Sequence, residues 1–126
     1  MSCASPEAME ALSGSVRLLC DDEKARCLLP GGLGSRVALV LFCDPIQDEA
    51  SVRRFAGALP GGAPAYVVNA LDAPNAARWF GVRETPVLAA VSDGSLLMLE
   101  TECGPESCAR VLAGALDTLR GMSALG

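Results

Sequence analysis

Asn75-Ala76-Ala77-Arg78-Trp79-Phe80-Gly81-Val82-Arg83-Glu84-Thr85-Pro86-Val87-Leu88 is the stretch on which the reading of this chain turns. Pro74 through Phe80 reads as a helix that ends near Gly81. An apolar run opens at Val87 behind the Thr85-Pro86 pair. A proline at the start of a strand is a candidate for the cis bond that tight functional turns use.

Outward from that stretch, the next informative segment lies upstream. Val37-Ala38-Leu39-Val40-Leu41-Phe42 is a continuous apolar run, the pattern of a strand covered on both faces. Phe42-Cys43-Asp44-Pro45-Ile46-Gln47 closes it and leads into a helix predicted from Asp44 or Asp48 to about Leu59. Val52, Phe55 and Leu59 fall at helical spacing there. A cysteine at a strand-to-helix junction is where a thiol ionises most easily, because unpaired amides and the helix dipole favour the thiolate.

The remaining elements follow the same alternation. A short N-terminal helix is predicted over 5–13, with Ser5 as N-cap and Pro6 in its first turn. Strands are predicted over 15–20, 65–69, 87–91 and 95–99, the last two joined by Asp93-Gly94 as a hairpin. A short helix over 21–29 carries acidic residues in its first turn and stops at Pro30-Gly31-Gly32. A final helix runs from Ser107 to about Arg120 behind Gly104-Pro105. The order is β-α-β-α-β-α-β-β-α after a short leader over 1–14, with one domain over 15–126. This is an α/β chain, an αβα sandwich on a mixed sheet of about five strands.

Composition narrows the function. The chain has 126 residues, 51% of them apolar, and suits one core. A net charge of −5 argues against nucleic-acid binding, which needs a basic face. No segment approaches the roughly 20 apolar residues of a membrane span, and residues 1–7 lack the features of a secretory signal. A cytoplasmic location is expected. The chain has no histidine. That removes Cys-His and Ser-His pairs and histidine-ligated metals.

Six cysteines remain, Cys3, Cys20, Cys27, Cys43, Cys103 and Cys108, and reduced thiols are expected in a mesophilic cytosol. Cys20 with Cys27 either staples a turn or packs. Cys103 with Cys108 either closes a small loop or stays as two thiols. The spacing between Cys20 and Cys27 is not a usual zinc spacing, so no metal and no cofactor is expected.

The stretch from Asn75 to Leu88, with Pro86 placed 43 residues after Cys43, resembles the third helix and cis-proline strand of the thioredoxin superfamily. Asp93-Gly94 and Gly104 stand where that family has its hairpin turn and the start of its last helix. The resemblance covers roughly 16–120. It implies a thioredoxin-like fold, and it makes Cys43 the counterpart of the family's nucleophile, with Phe42 as the aromatic before it. It also implies a partner-binding surface of Phe42, Asp44, Pro45, Thr85, Pro86 and Gly104. There the backbone at Thr85 would pair with a bound peptide.

Two departures from the family matter. Ile46 occupies the place of the second cysteine of Cys-x-x-Cys, so Cys43 has no adjacent thiol to release a mixed disulfide. The buried acid expected before the active site is also missing, because 37–42 holds no ionisable group. Two functions follow as alternatives. One is a single-cysteine thiol–disulfide oxidoreductase acting on protein thiols and disulfides or on a small thiol, with Cys43 as nucleophile and Cys103, Cys108 or an external thiol resolving. The other is a non-catalytic module that binds protein partners through the cis-proline surface. A purely structural role for the cysteines is the third reading.

Overall fold

The protein, as a computed structural model, is described here over residues 16–32, 36–44, 46–58, 63–102 and 104–125. The predicted leader and 5–13 helix lie outside those residues, as do Pro45 and Cys103. The strands are β1 (Val16–Leu19), β2 (Ala38–Cys43), β3 (Ala65–Asn69), β4 (Val87–Ser92) and β5 (Ser95–Glu100). The helices are α1 (Asp22–Ala25, continued as a 3-10 turn over Arg26–Leu28), α2 (Glu49–Ala56), α3 (Pro74–Trp79) and α4 (Pro105–Leu125). Five strands form one sheet in the order β1-β3-β2-β4-β5. β1 and β2 each pair with β3 in parallel, β4 runs antiparallel to β2, and β5 antiparallel to β4. The element order is the one read from the sequence. The mixed sheet arises because the first three strands are joined by helical crossovers and the last two by a tight turn.

β2 is central, and every residue of it is buried. Its pleat deals side chains alternately to two apolar clusters. Leu39, Leu41 and Cys43 join Val52 and Phe55 of α2 and Cys108, Val111 and Ala115 of α4. Ala38, Val40 and Phe42 face the other way, toward Ala25, Leu28, Ala76 and Phe80. The Phe42 and Phe80 rings meet there at 5.8 Å, tilted by 53°.

Short helices of this kind are marginal alone and need fixing at their ends. α3 is held at its N-terminus by Asp22 of α1, whose carboxylate accepts from the amides of Ala76 (2.9 Å) and Asn75 (3.3 Å). At its C-terminus Val82 N–H donates to Ala77 C=O (2.8 Å) and Gly81 N–H to Arg78 C=O (3.1 Å). That double closure is a Schellman motif, and it needs the positive φ of Gly81, +72°. The hairpin turn has Asp93 at φ +48° and Gly94 at φ +77°, the signs of a type I′ turn. It is seated by Asp93 Oδ1 accepting from Gly31 N–H (2.8 Å) and by Gly94 C=O accepting from Trp79 Nε1–H (2.7 Å). A Cβ on Gly94 would run into the Pro30 ring.

Two helices differ in extent from the sequence expectation. α2 takes the later of its two expected starts, beginning at Glu49 behind Asp48 because Asp44 organises the preceding residues into a turn of their own, and it ends at Ala56, short of Leu59. α4 starts at Pro105 and continues to Leu125, longer at both ends than predicted. No helix of the described residues is long and apolar enough to cross a membrane.

Candidate functional site

The C-terminal ends of β2 and β3 and the connection from α3 into β4 surround a groove of about 520 Å³. Cys43 and Asp44 line it from the end of β2 and the residue after it, Ala70 and Leu71 from the turn after β3, and Pro74, Ala77 and Arg78 from α3. Gly81, Val82, Arg83 and Thr85 complete it. Each wall has a local cause. Asn69 ends β3 in an Asx turn, its Oδ1 accepting from Leu71 N–H (3.1 Å), which turns Leu71 outward to 69% exposure. The Schellman closure at Gly81 redirects the chain toward Thr85. The Thr85–Pro86 peptide bond is cis.

The turn between β2 and α2 is a reciprocal clasp of two aspartates. Asp44 Oδ1 accepts from the amides of Ile46 (3.0 Å) and Gln47 (3.3 Å). Asp48 Oδ2 accepts from Asp44 N–H (2.9 Å), while Asp48 N–H donates to Asp44 C=O (2.8 Å). The amides that a helix mouth would offer to a sulfur anion are thus engaged by Asp44. Cys43 C=O accepts from Ala70 N–H (2.9 Å), extending the β2–β3 ladder past the strand end.

The expected strand-to-helix junction at Cys43 is wider than a direct one. Cys43 is the last residue of β2, and a turn of five residues separates it from α2, so no helix mouth adjoins the thiol. Because it shares the parity of Leu39 and Leu41, its side chain enters the cluster with Val52, Phe55 and Cys108. Its exposure is 0%. Ile46, by contrast, is 67% exposed. Phe42 is buried against Phe80 and belongs to the opposite layer, so it supports the site from beneath. Asp44 and Thr85 come together on the groove, and Pro86 is half-buried at the start of β4. Gly104 lies apart, at the head of α4 beside the Arg54 side chain. Cys108 is fully buried in the same cluster as Cys43.

The cysteines outside the groove also depart from expectation. Cys20 is disulfide-bonded. Cys27 and Cys108 carry thiols, so neither a Cys20–Cys27 staple nor a Cys103–Cys108 loop forms. Burial pushes the Cys27 thiol up from its ordinary value, against the opposing influence of a backbone hydrogen bond and of Arg17. Among the described residues no cluster of three or more histidine, cysteine, aspartate or glutamate side chains is placed to hold a metal ion.

Sequence reasoning did not single out Leu71, Arg78 or Arg83 as site residues. The signal available for Leu71 was a large apolar residue beside Asp72 in a turn. For the arginines it was their position on either side of Gly81.

No family model matches the sequence, and no curated protein matches it. Solved structures do. A thioredoxin from Malassezia sympodialis matches with a TM-score of 0.62 and 18% identity, over 81% of this chain and 92% of that one. A thioredoxin from Fasciola hepatica matches with a TM-score of 0.53 and 19% identity, over 75% and 98%. A thioredoxin variant from Halobacterium salinarum matches with a TM-score of 0.54 and 18% identity, over 88% and 92%. At these identities the likeness is one of fold, and the fold is thioredoxin-like.

Proposed function

We propose that this thioredoxin-fold chain is a recognition module that holds an extended segment of a partner protein in the groove beside Thr85-Pro86. One observation carries this reading: the complete burial of Cys43 in the apolar layer between β2, α2 and α4. A thiol that attacks a disulfide must meet it as a thiolate, and apolar burial withholds the solvation that a thiolate needs. Two features support the same reading. The amides of the following turn donate to Asp44. Ile46 stands exposed where a resolving cysteine would be, so the adjacent dithiol cycle is absent. Asp44 and Thr85 line the groove, and Pro86 fixes the backbone at its rim. Partner affinity in such a groove comes from main-chain pairing at Thr85 and side-chain contacts along the walls.

A second reading rests on a different observation: Cys43 lines the groove and shares its buried cluster with Cys108. In it the Cys43 thiolate attacks a partner disulfide, forms a mixed disulfide and releases one partner thiolate. Cys108 then attacks Cys43, closing a Cys43–Cys108 disulfide and releasing the second thiol. The partner gains two electrons and this chain loses them.

Labelling of the full chain with an aromatic disulfide reagent, mapped by mass spectrometry with and without denaturant, separates the two. The recognition reading expects native Cys43 to react about a hundredfold or more slower than unfolded Cys43, as a few kcal/mol of opening dictates. It also expects no reduction of insulin. Rapid native labelling of Cys43, with insulin reduction abolished in Cys43→Ala, would overturn it in favour of exchange.

A further inference from the structure

The groove carries charge that the recognition reading does not use. Its walls hold two cations, Arg78 and Arg83, and one anion, Asp44, in a chain whose net charge is −5. The Asp44 carboxylate is already engaged by two backbone amides. Arg78 and Arg83 are both exposed, and among the described residues neither makes a salt bridge. The other cationic side chains that face acids sit elsewhere: Arg53 with Glu49 on α2, Arg110 with Glu100 between α4 and β5, and Arg120 with Asp117 on α4. The arginines at the groove are thus unspent donors, each presenting a planar fork suited to a carboxylate. Between them and the β3 end lies an apolar strip of Ala70, Leu71, Pro74 and Val82.

We infer that the segment held in the groove is an acidic peptide, with an apolar side chain against Leu71 and Val82 and a flanking aspartate or glutamate meeting Arg78 and Arg83. This rests on the recognition reading and adds the chemistry of its partner. Charge complementarity selects the occupant, since a basic segment would place like charges beside both arginines. Leu71, held outward by the Asx turn at Asn69, supplies the apolar contact. The main chain at Thr85 supplies the register.

The test is a displayed library of short linear peptides panned on the full chain. The enriched peptides are then measured by fluorescence anisotropy against wild type, Arg78→Glu/Arg83→Glu and Thr85→Trp. Melting curves establish that the variants fold, as the exposure of all three positions leads one to expect. Enrichment of aspartate or glutamate next to an apolar residue is the supporting result. Charge reversal should then weaken binding by about tenfold or more, more than two exposed pairs would lose on simple removal. That difference should shrink in about 1 M salt, where exposed charges are screened within a few ångströms. A pool of neutral or basic peptides that Thr85→Trp blocks would overturn this inference and leave the recognition reading standing. Absence of any enriched pool, or a pool indifferent to Thr85→Trp, would overturn both.

Discussion

The turn after β2 and the connection from α3 into β4 meet at one groove, yet they are specified in different ways. The α3–β4 connection is local in origin. Gly81 must adopt positive φ, the two Schellman hydrogen bonds close α3, and Thr85-Pro86 leads into β4, all within a few residues. The turn after β2 depends on where a strand stops. β2 runs through Cys43, so the two-residue period of the sheet sends that thiol inward with Leu39 and Leu41. One residue of difference in the strand's end would reverse its face. Resemblance of sequence at such a turn therefore says where a site lies more firmly than which way its side chain points.

The largest expected effect breaks the β2 side of that comparison. Phe42→Ala removes a fully buried ring packed at a tilt against Phe80 and should cost about 3–5 kcal/mol in chemical denaturation. Cys43→Ser, one position on but in the opposite layer, introduces a hydroxyl into an apolar cluster and should cost about 1–3 kcal/mol. If Cys43→Ser were neutral while Cys43→Ala destabilised, the inward orientation would be wrong. On the other side of the groove, Gly81→Ala forces a Cβ into left-handed backbone where no neighbour obstructs it. Its cost is purely conformational, about 1–2 kcal/mol, read as a lowered denaturation midpoint. Asp44→Ala frees two amides of the turn and should lose about 1 kcal/mol, with the fold otherwise intact.

The smallest effect serves as a control far from both turns. Arg110 forks onto Glu100 at 2.6 and 2.7 Å, and that hydrogen bond holds the Glu100 carboxyl below its ordinary value. A carboxylate with a depressed folded value stabilises above the unfolded value and loses that contribution as pH falls through the folded one. Melting temperature between neutral and acidic pH should therefore fall slightly less in Glu100→Gln than in wild type. Arg110 is exposed and Glu100 only part-buried, so the pair stays well solvated and the difference should be small.

Most of the architecture was legible because it rests on patterns of short range. The unbroken apolar run of β2 marked a central strand, Asp93-Gly94 marked the hairpin, and Gly81 before Thr85-Pro86 marked the route into β4. The site was legible in place but not in detail. The helix start was open between Asp44 and Asp48, and only the hydrogen bonds with Ile46, Gln47 and Asp48 reveal Asp44 as the centre of a separate turn. The burial of Cys43 depends on α2 and α4 packing over it, and the contribution of Leu71 depends on Asn69 ending β3 with its side chain. Both are long-range or side-chain events that periodicity does not encode. The cysteine pairings were illegible for the same reason, since spacing alone carries no distance between elements.

Trp79 is the chain's single tryptophan, and its indole spans two elements, rooted in α3 and hydrogen-bonded to Gly94 of the β4–β5 hairpin. It is also 56% exposed. The wall of the groove therefore carries its own optical gauge. Any event that shifts α3 against the hairpin alters the polarity and hydrogen bonding felt by one fluorophore, with no second tryptophan to mask it. Loading of the groove, where it shifts α3, is then readable as a change of intrinsic emission in the unlabelled protein.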